Sequence, residues 1–212
     1  MRLASLFAAG ALGFAAIPSG NASTILAQTR FSVDGPQASA ADYQSLIDGL
    51  MASPASSGYG DAAPTVYDNL NNQGLFGGPN SDIAFRLTVA FTATTAGSWG
   101  FRAGPDFGFG GAVFLDGAPV AYNPADMWWG GSYGDPSQSF QFSAILGAGN
   151  HTLVVYGLEG CCDGGQQGQF LAPGGTFTTF SATDGLAVPE PVSLALLGSG
   201  LLGLGMIRRK RA

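Results

Sequence analysis

Asp106, Asp116, Glu159 and Asp163 sit in or beside glycine-rich loops. Carboxylate oxygens so placed are what a calcium ion gathers, roughly six to eight at a time. Calcium is therefore the one cofactor the chain suggests, with Asp106, Asp116 and Asp163 as its ligands. No ligand loop of recognised spacing frames them, so solvated turn carboxylates are the plainer alternative. Asp116 also opens an Asp-Gly pair suited to a hairpin turn. A second group is "DMWWGGSYGD", residues 126–135, which sets Trp128, Trp129 and Tyr133 between acids. Flat rings that stack on C–H faces, beside acceptors for hydroxyls, make a glycan-binding surface. The same rings could instead plug a core. Trp129 and Tyr133 are the pair expected at the surface.

The chain has two cysteines, and they are adjacent: Cys161 and Cys162. A disulfide between them would span Cα atoms about 3.8 Å apart, shorter than the usual range of about 4.4–6.8 Å. Such a ring closes too short a loop for large entropic stabilisation. Its use would be shape, a rigid apolar knuckle before Asp163. Free thiols or bonds to other chains are the alternative, and a zinc site lacks ligand spacing. His151 is the only histidine. It could serve a Ser–His–Asp triad, but no G-x-S-x-G elbow accompanies it, and it reads as a strand-end residue. No pair of carboxylates is singled out for glycoside hydrolysis.

The compartment decides the thiol state, and the two ends of the chain speak to the compartment. Residues 1–22 combine Arg2, an apolar run from Leu3 to Ile17, and a small-x-small site at Gly20-Asn21-Ala22. This is the composition of a secretory signal peptide. At the other end, Pro189-Glu190-Pro191 precedes an apolar stretch from Val192 to Ile207, then Arg208, Arg209, Lys210 and Arg211. The positive-inside rule holds such a basic cluster in the cytoplasm, so the stretch is read as a C-terminal transmembrane helix. This order resembles a PEP-CTERM sorting signal. The resemblance implies recognition and removal of the tail by an exosortase, with transient membrane attachment. Cysteines between 23 and 187 would then meet an oxidising environment.

The whole chain has a net charge of -6. Residues 24–187 carry three cations, Arg30, Arg86 and Arg102, against thirteen acids, a net -10. Nucleic acid would be repelled. A body of this length is one domain with a real core.

Within it, Ser39 and Asp42 have capping-box spacing, and Tyr43, Leu46, Ile47, Leu50 and Met51 follow at helical spacing. Residues 55–80 read as loop. From Ile83 to Phe91 the odd positions are all apolar, the alternation of a half-buried strand. Further strands are expected at 98–103, 112–115, 119–122, around Phe140 and Phe142, at 152–158 and at 176–181. The pattern predicts a mainly β, antiparallel β-sandwich or jelly roll with one short N-terminal helix. Three segments follow: a signal peptide at 1–22, an exported domain at 23–187 and a sorting tail at 188–212.

The stretches "FRAGPDFGFGGAVFLDGAPVAY" and "LGAGNHTLVVYGLEG" resemble PA14-like and related adhesin sandwiches. Calcium-dependent lectins of that group carry two adjacent aspartates joined by a cis peptide, where this chain has Pro105-Asp106-Phe107. The Cys-Cys-x-Gly stretch resembles a CCXG-type subgroup of PEP-CTERM proteins. Together these imply a non-enzymatic exported protein of the cell envelope or biofilm matrix that associates with exopolysaccharide. Its partners would be exosortase, the secretion machinery and extracellular polysaccharide. A self-associating matrix protein without a small ligand, and a glycan-acting hydrolase, are the alternatives.

Overall fold

The computed structural model describes residues 23–186. The segments expected to be a signal peptide and a transmembrane helix, and the sorting residues from Pro189 to Arg211, lie outside the described residues. Among the described residues, no helix is long and apolar enough to cross a membrane.

The fold is mainly β and antiparallel, two sheets packed as a sandwich. Its strands are β1 (Thr24–Phe31), β2 (Asp61–Ala62), β3 (Ile83–Ala93), β4 (Gly97–Gly104), β5 (Asp106–Phe107), β6 (Gly111–Leu115), β7 (Ala118–Asn123), β8 (Met127–Trp128), β9 (Phe140–Leu146), β10 (Gly149–Glu159), β11 (Gln167–Leu171) and β12 (Thr178–Thr179). One sheet has the order β2-β1-β3-β10-β6-β7, the other β12-β11-β4-β9, and β5 pairs with β8 alone.

Alternation along β3 builds the core. Ile83, Phe85, Leu87, Val89 and Phe91 all point inward, onto Trp99, Phe101, Phe170 and Phe180 of the facing sheet. The outer face of the six-stranded sheet is covered too. Helix α1 (Ala40–Met51) starts where Ser39 accepts the Asp42 N–H. It lays Tyr43, Ile47 and Met51 against Ala84, Phe114, Tyr156 and Leu158. Arg86 crosses the same face to reach Asp48 at 2.6 Å. β10 is therefore apolar on both faces at its C-terminal half, as a strand with helix and sheet on either side must be.

The stretch expected to be loop, 55–80, also holds β2 and a short helix, α2 (Asn72–Phe76). The 3-10 turn at Pro136–Gln138 closes the aromatic loop.

Register fixes the two ends of the sandwich. Phe31 and Glu159 both lie opposite Ile83 on β3, whereas Thr24 and Thr152 lie opposite Ala90. At the Thr24 end, Ser23 donates its N–H to the Ser181 carbonyl, so the described chain enters beside where it leaves.

Candidate functional site

The site lies at the Phe31–Glu159 end. There the strands stop and the connections before β3, after β5, before β8 and after β10 come together. They enclose a cleft of about 440 Å³ lined by Val33, Asp82, Asp106, Gly108, Phe109, Asp126, Glu159, Gly160 and Cys161. Four of the nine are carboxylates, and Asp163 stands close enough to Asp106 and Glu159 to feel both charges.

Glu159 braces the cleft. Its side chain is 2% exposed, and its oxygens accept the N–H groups of Gly108 and Cys161, each at 2.6 Å. One carboxylate thus joins the end of β10 to the loops on both sides of it. Burial, with repulsion from Asp106 and Asp126, pushes its pKa up to about 7 against those two bonds. Burial likewise raises Asp163 to about 7, with Asp106 and Glu159 adding repulsion. Asp163 accepts the Asn72 N–H at 2.6 Å with Oδ2, while its Oδ1 is buried without a partner. Gln166, 0% exposed, lies against it with neither end of its amide well partnered. Asp106 is also raised, first by burial and then by Asp126, and is opposed by the Gly164 backbone.

Cys161 and Cys162 are disulfide-bonded to each other. Both are exposed, at the rim of the cleft. Cys162 takes a positive φ of 78°. The tight turn this makes turns the Cys161 N–H onto Glu159 and sends the Asp163 N–H to the Asn80 carbonyl at 2.8 Å.

The three aspartates expected to act together are split. Asp106 and Asp163 meet here, but Asp116 lies at the opposite end, on the β6–β7 turn. Its Oδ1 accepts the Thr152 N–H and its Oδ2 meets His151 Nδ1 at 2.7 Å. Seven residues of β10 separate Thr152 from Glu159, about 23 Å of strand. Among the described residues no three His, Cys, Asp or Glu side chains converge as a metal site. The set Asp106, Asp116 and Asp163 is therefore not a calcium cage, because one member serves a turn elsewhere.

The aromatic loop also needs correction. Trp128 is the exposed ring, at 67%, whereas Trp129 and Tyr133 are half-buried. Alternation explains it. Asp106 pairs with Trp128 across β5–β8 and Phe107 with Met127. Phe107 and Met127 fill the core, so Asp106 and Trp128 share the outward face. Phe107 can reach inward because β10 has Gly157 beneath it, where a Cβ would overlap the ring. Trp129 and Tyr133 pack with centroids 5.2 Å apart and planes tilted by 49°, on the outer face of the four-stranded sheet.

His151 holds no catalytic constellation. Partial burial disfavours its charged form, but Asp116 and the Gly147 carbonyl, bonded to its two ring nitrogens, raise its pKa overall. Asp82 and the Gln166 amide belong to the site and carry no sequence signal, and Asp126, legible only as an acid flanking the aromatic loop, joins them. Only register and loop packing bring them in.

Residues 187–211 match the PEP-CTERM protein-sorting motif. The curated proteins give no match to the chain. Among solved structures, the PA14 sugar-binding domain from RTX adhesin is similar at TM-score 0.50 and 12% identity, over 80% of this chain and 99% of that one. A structure described as an anti-sigma factor domain-containing protein matches at TM-score 0.51 and 8% identity, over 78% of this chain and 48% of the other. The PA14 domain of the antifreeze protein MpAFP follows at TM-score 0.46 and 14% identity, over 78% and 89%. At these identities the likeness is one of fold, a sandwich that carries unrelated functions.

Proposed function

We propose that this is an exported protein, anchored through its C-terminal tail until an exosortase removes it, whose sandwich binds glycan in the cleft at the Phe31–Glu159 end. The observation that carries this reading is the cross-strand pairing of exposed Trp128 with Asp106 at the mouth of an acid-lined cleft. A sugar stacked on the Trp128 ring would present its hydroxyls to Asp106 and Asp126. The vicinal disulfide and Phe109 would form an apolar wall opposite. The sorting motif supports the reading, as does the likeness in fold to the sugar-binding PA14 domain from RTX adhesin. Extracellular polysaccharide of a biofilm matrix is the partner this implies, and the Cys-Cys-x-Gly stretch is the mark of the subgroup.

The domain acts by holding, not by catalysis. Glu159, whose raised pKa would suit a general acid, has both oxygens committed to backbone N–H groups. A cation-assisted form of the same site is favoured by one observation, the buried and unpartnered Oδ1 of Asp163. In that form Asp106 and Asp163 would supply oxygens to calcium, and the backbone or the glycan would complete the shell.

The test uses the full chain, produced in an export-competent bacterial host and purified from its envelope, against a glycan panel with calcium and with EDTA. Saturable binding that Trp128→Ala abolishes is expected. Loss of binding in EDTA would select the cation-assisted form. Absence of saturable binding in both buffers would overturn the reading in favour of a self-associating matrix protein.

A further inference from the structure

The described residues contain three arginines, and two have carboxylate partners. Arg30 bonds Asp61 at 2.9 Å and Arg86 bonds Asp48 at 2.6 Å. Arg102 takes part in no salt bridge, although the body around it is strongly acidic. It is held instead between two rings, its guanidinium carbon 4.0 Å from the Tyr133 centroid and 3.9 Å from that of Phe177. Its Nε donates to Gln169 Oε1 at 2.6 Å. Among the described residues Nη1 and Nη2 have no hydrogen-bond partner, and neither is among the buried unpartnered atoms, so both reach solvent.

The strand is built to present this group. Gly100, Arg102 and Gly104 alternate on the outer face of β4, while Trp99, Phe101 and Ala103 enter the core. A Cβ at Gly104 would overlap the Trp129 ring, and Leu171 and Phe177 close over Gly100. The glycines thus let rings lie directly on the sheet on both sides of Arg102. Gln169 and Gln141 are its partners on the neighbouring strands. A row of two glutamines and one arginine therefore crosses a shelf of Trp129, Tyr133 and Phe177.

We infer that this shelf is a second binding site, for the carboxylate of an acidic sugar set among neutral ones. Both faces of the guanidinium are covered, so a ligand meets its edge, where two N–H groups form the fork that a carboxylate fits. Rings on either side offer sugar-sized surfaces. Gln169 is committed to Arg102 and Thr179 and steadies the guanidinium, while Gln141, whose Nε2 is given to Tyr133 and Ser139, keeps its Oε1 to accept from a hydroxyl. The net charge of the body selects among acidic polymers, because it repels densely charged ones. An isolated uronate between neutral sugars is what the shelf accepts. The site shares no residue with the cleft.

The probe is an aldobiuronic acid, one glucuronate on one neutral sugar, compared with its methyl ester, titrated into the full exported chain. The acid is expected to bind at least about tenfold tighter than the ester, the value of a charge-assisted contact. Arg102→Gln and Arg102→Lys should both erase the difference, since lysine keeps the charge and loses the fork. Trp128→Ala should retain it, which separates this site from the cleft. Equal affinity for acid and ester in the unmodified protein would overturn the inference, as would a folded Arg102→Gln variant that keeps the preference. Failure of both Arg102 variants to fold leaves the acid–ester comparison to decide alone.

Discussion

The two ends of the sandwich use carboxylates in the same way and leave them in opposite states. At the turn end, Asp116 catches the Thr152 N–H and meets His151, whose other nitrogen faces the Gly147 carbonyl. Both partners present acceptor oxygens to the ring, which favours its protonated form and raises its pKa. The acid there has a histidine partner and finishes a hairpin. At the cleft end, Glu159 and Asp163 also catch backbone N–H groups, yet no described cation answers them, and both are pushed up to about 7. A paired acid is architecture. A buried cluster of unanswered acids lowers stability, the usual mark of a place shaped for something other than folding.

The sharpest way to break this comparison is Glu159→Ala. It leaves the Gly108 and Cys161 N–H groups without their acceptor and should cost roughly 2–4 kcal/mol in urea denaturation. A loss near zero would mean that water replaces the carboxylate and the brace is not one. Trp128→Ala removes an exposed ring, so stability should stay within about 0.5 kcal/mol, while glycan affinity measured by calorimetry falls at least about tenfold.

The pH response comes next. Raised carboxyl pKa values mean that the folded state holds protons more tightly than the unfolded chain. The contribution of Glu159 and Asp163 is then complete below about pH 4 and lost between about pH 4 and 7. His151, also raised, contributes fully below about pH 6.5 and loses that contribution as pH climbs through its folded value. All three have one sign, whereas the lowered Asp61 and Asp135 act only below about pH 4. The melting temperature should therefore fall by a few degrees from pH 5 to pH 8, and Glu159→Gln should flatten that slope. A melting temperature that rises over this interval would contradict the assignment. The smallest effect is expected of Asp116→Asn, under about 1 kcal/mol for an exposed pair, with glycan binding unchanged.

Much of this was legible in the sequence where local rules act alone. Ser39 and the stripe from Tyr43 to Met51 announce α1, and β3 shows clean alternation. Asp116-Gly117 is the β6–β7 turn, with φ of 51° and 80°. β1 is not legible, because polar Thr29 is buried beside Ile25 and Ala27 while apolar Leu26 faces out, so "TILAQTRF" hides its alternation. β11 was missed for a different reason: Gln167 and Gln169 face outward and Gly168 receives Tyr67, which leaves few apolar residues to count. The cysteine bridge and the acids at 106 and 163 could be named from loop chemistry. Glu159 could be named with them, but not its burial as a brace, nor their grouping with Asp82 and Asp126, since residues far apart in the chain are joined there only by antiparallel register.

Ser23, the first described residue, is bonded to Ser181, five residues before the last, and register puts this pair at the Thr24 end. The cleft is at the other end, roughly 23 Å away along β3 (seven residues of strand). On the proposed function, a tail leaving from that end would hold the domain by its heel. The cleft and the Trp128 ring, at the far end of the sandwich, would then be offered to a long polymer alike by a tethered molecule and a released one. Loss of the tether would change where the protein can travel and leave its grip intact.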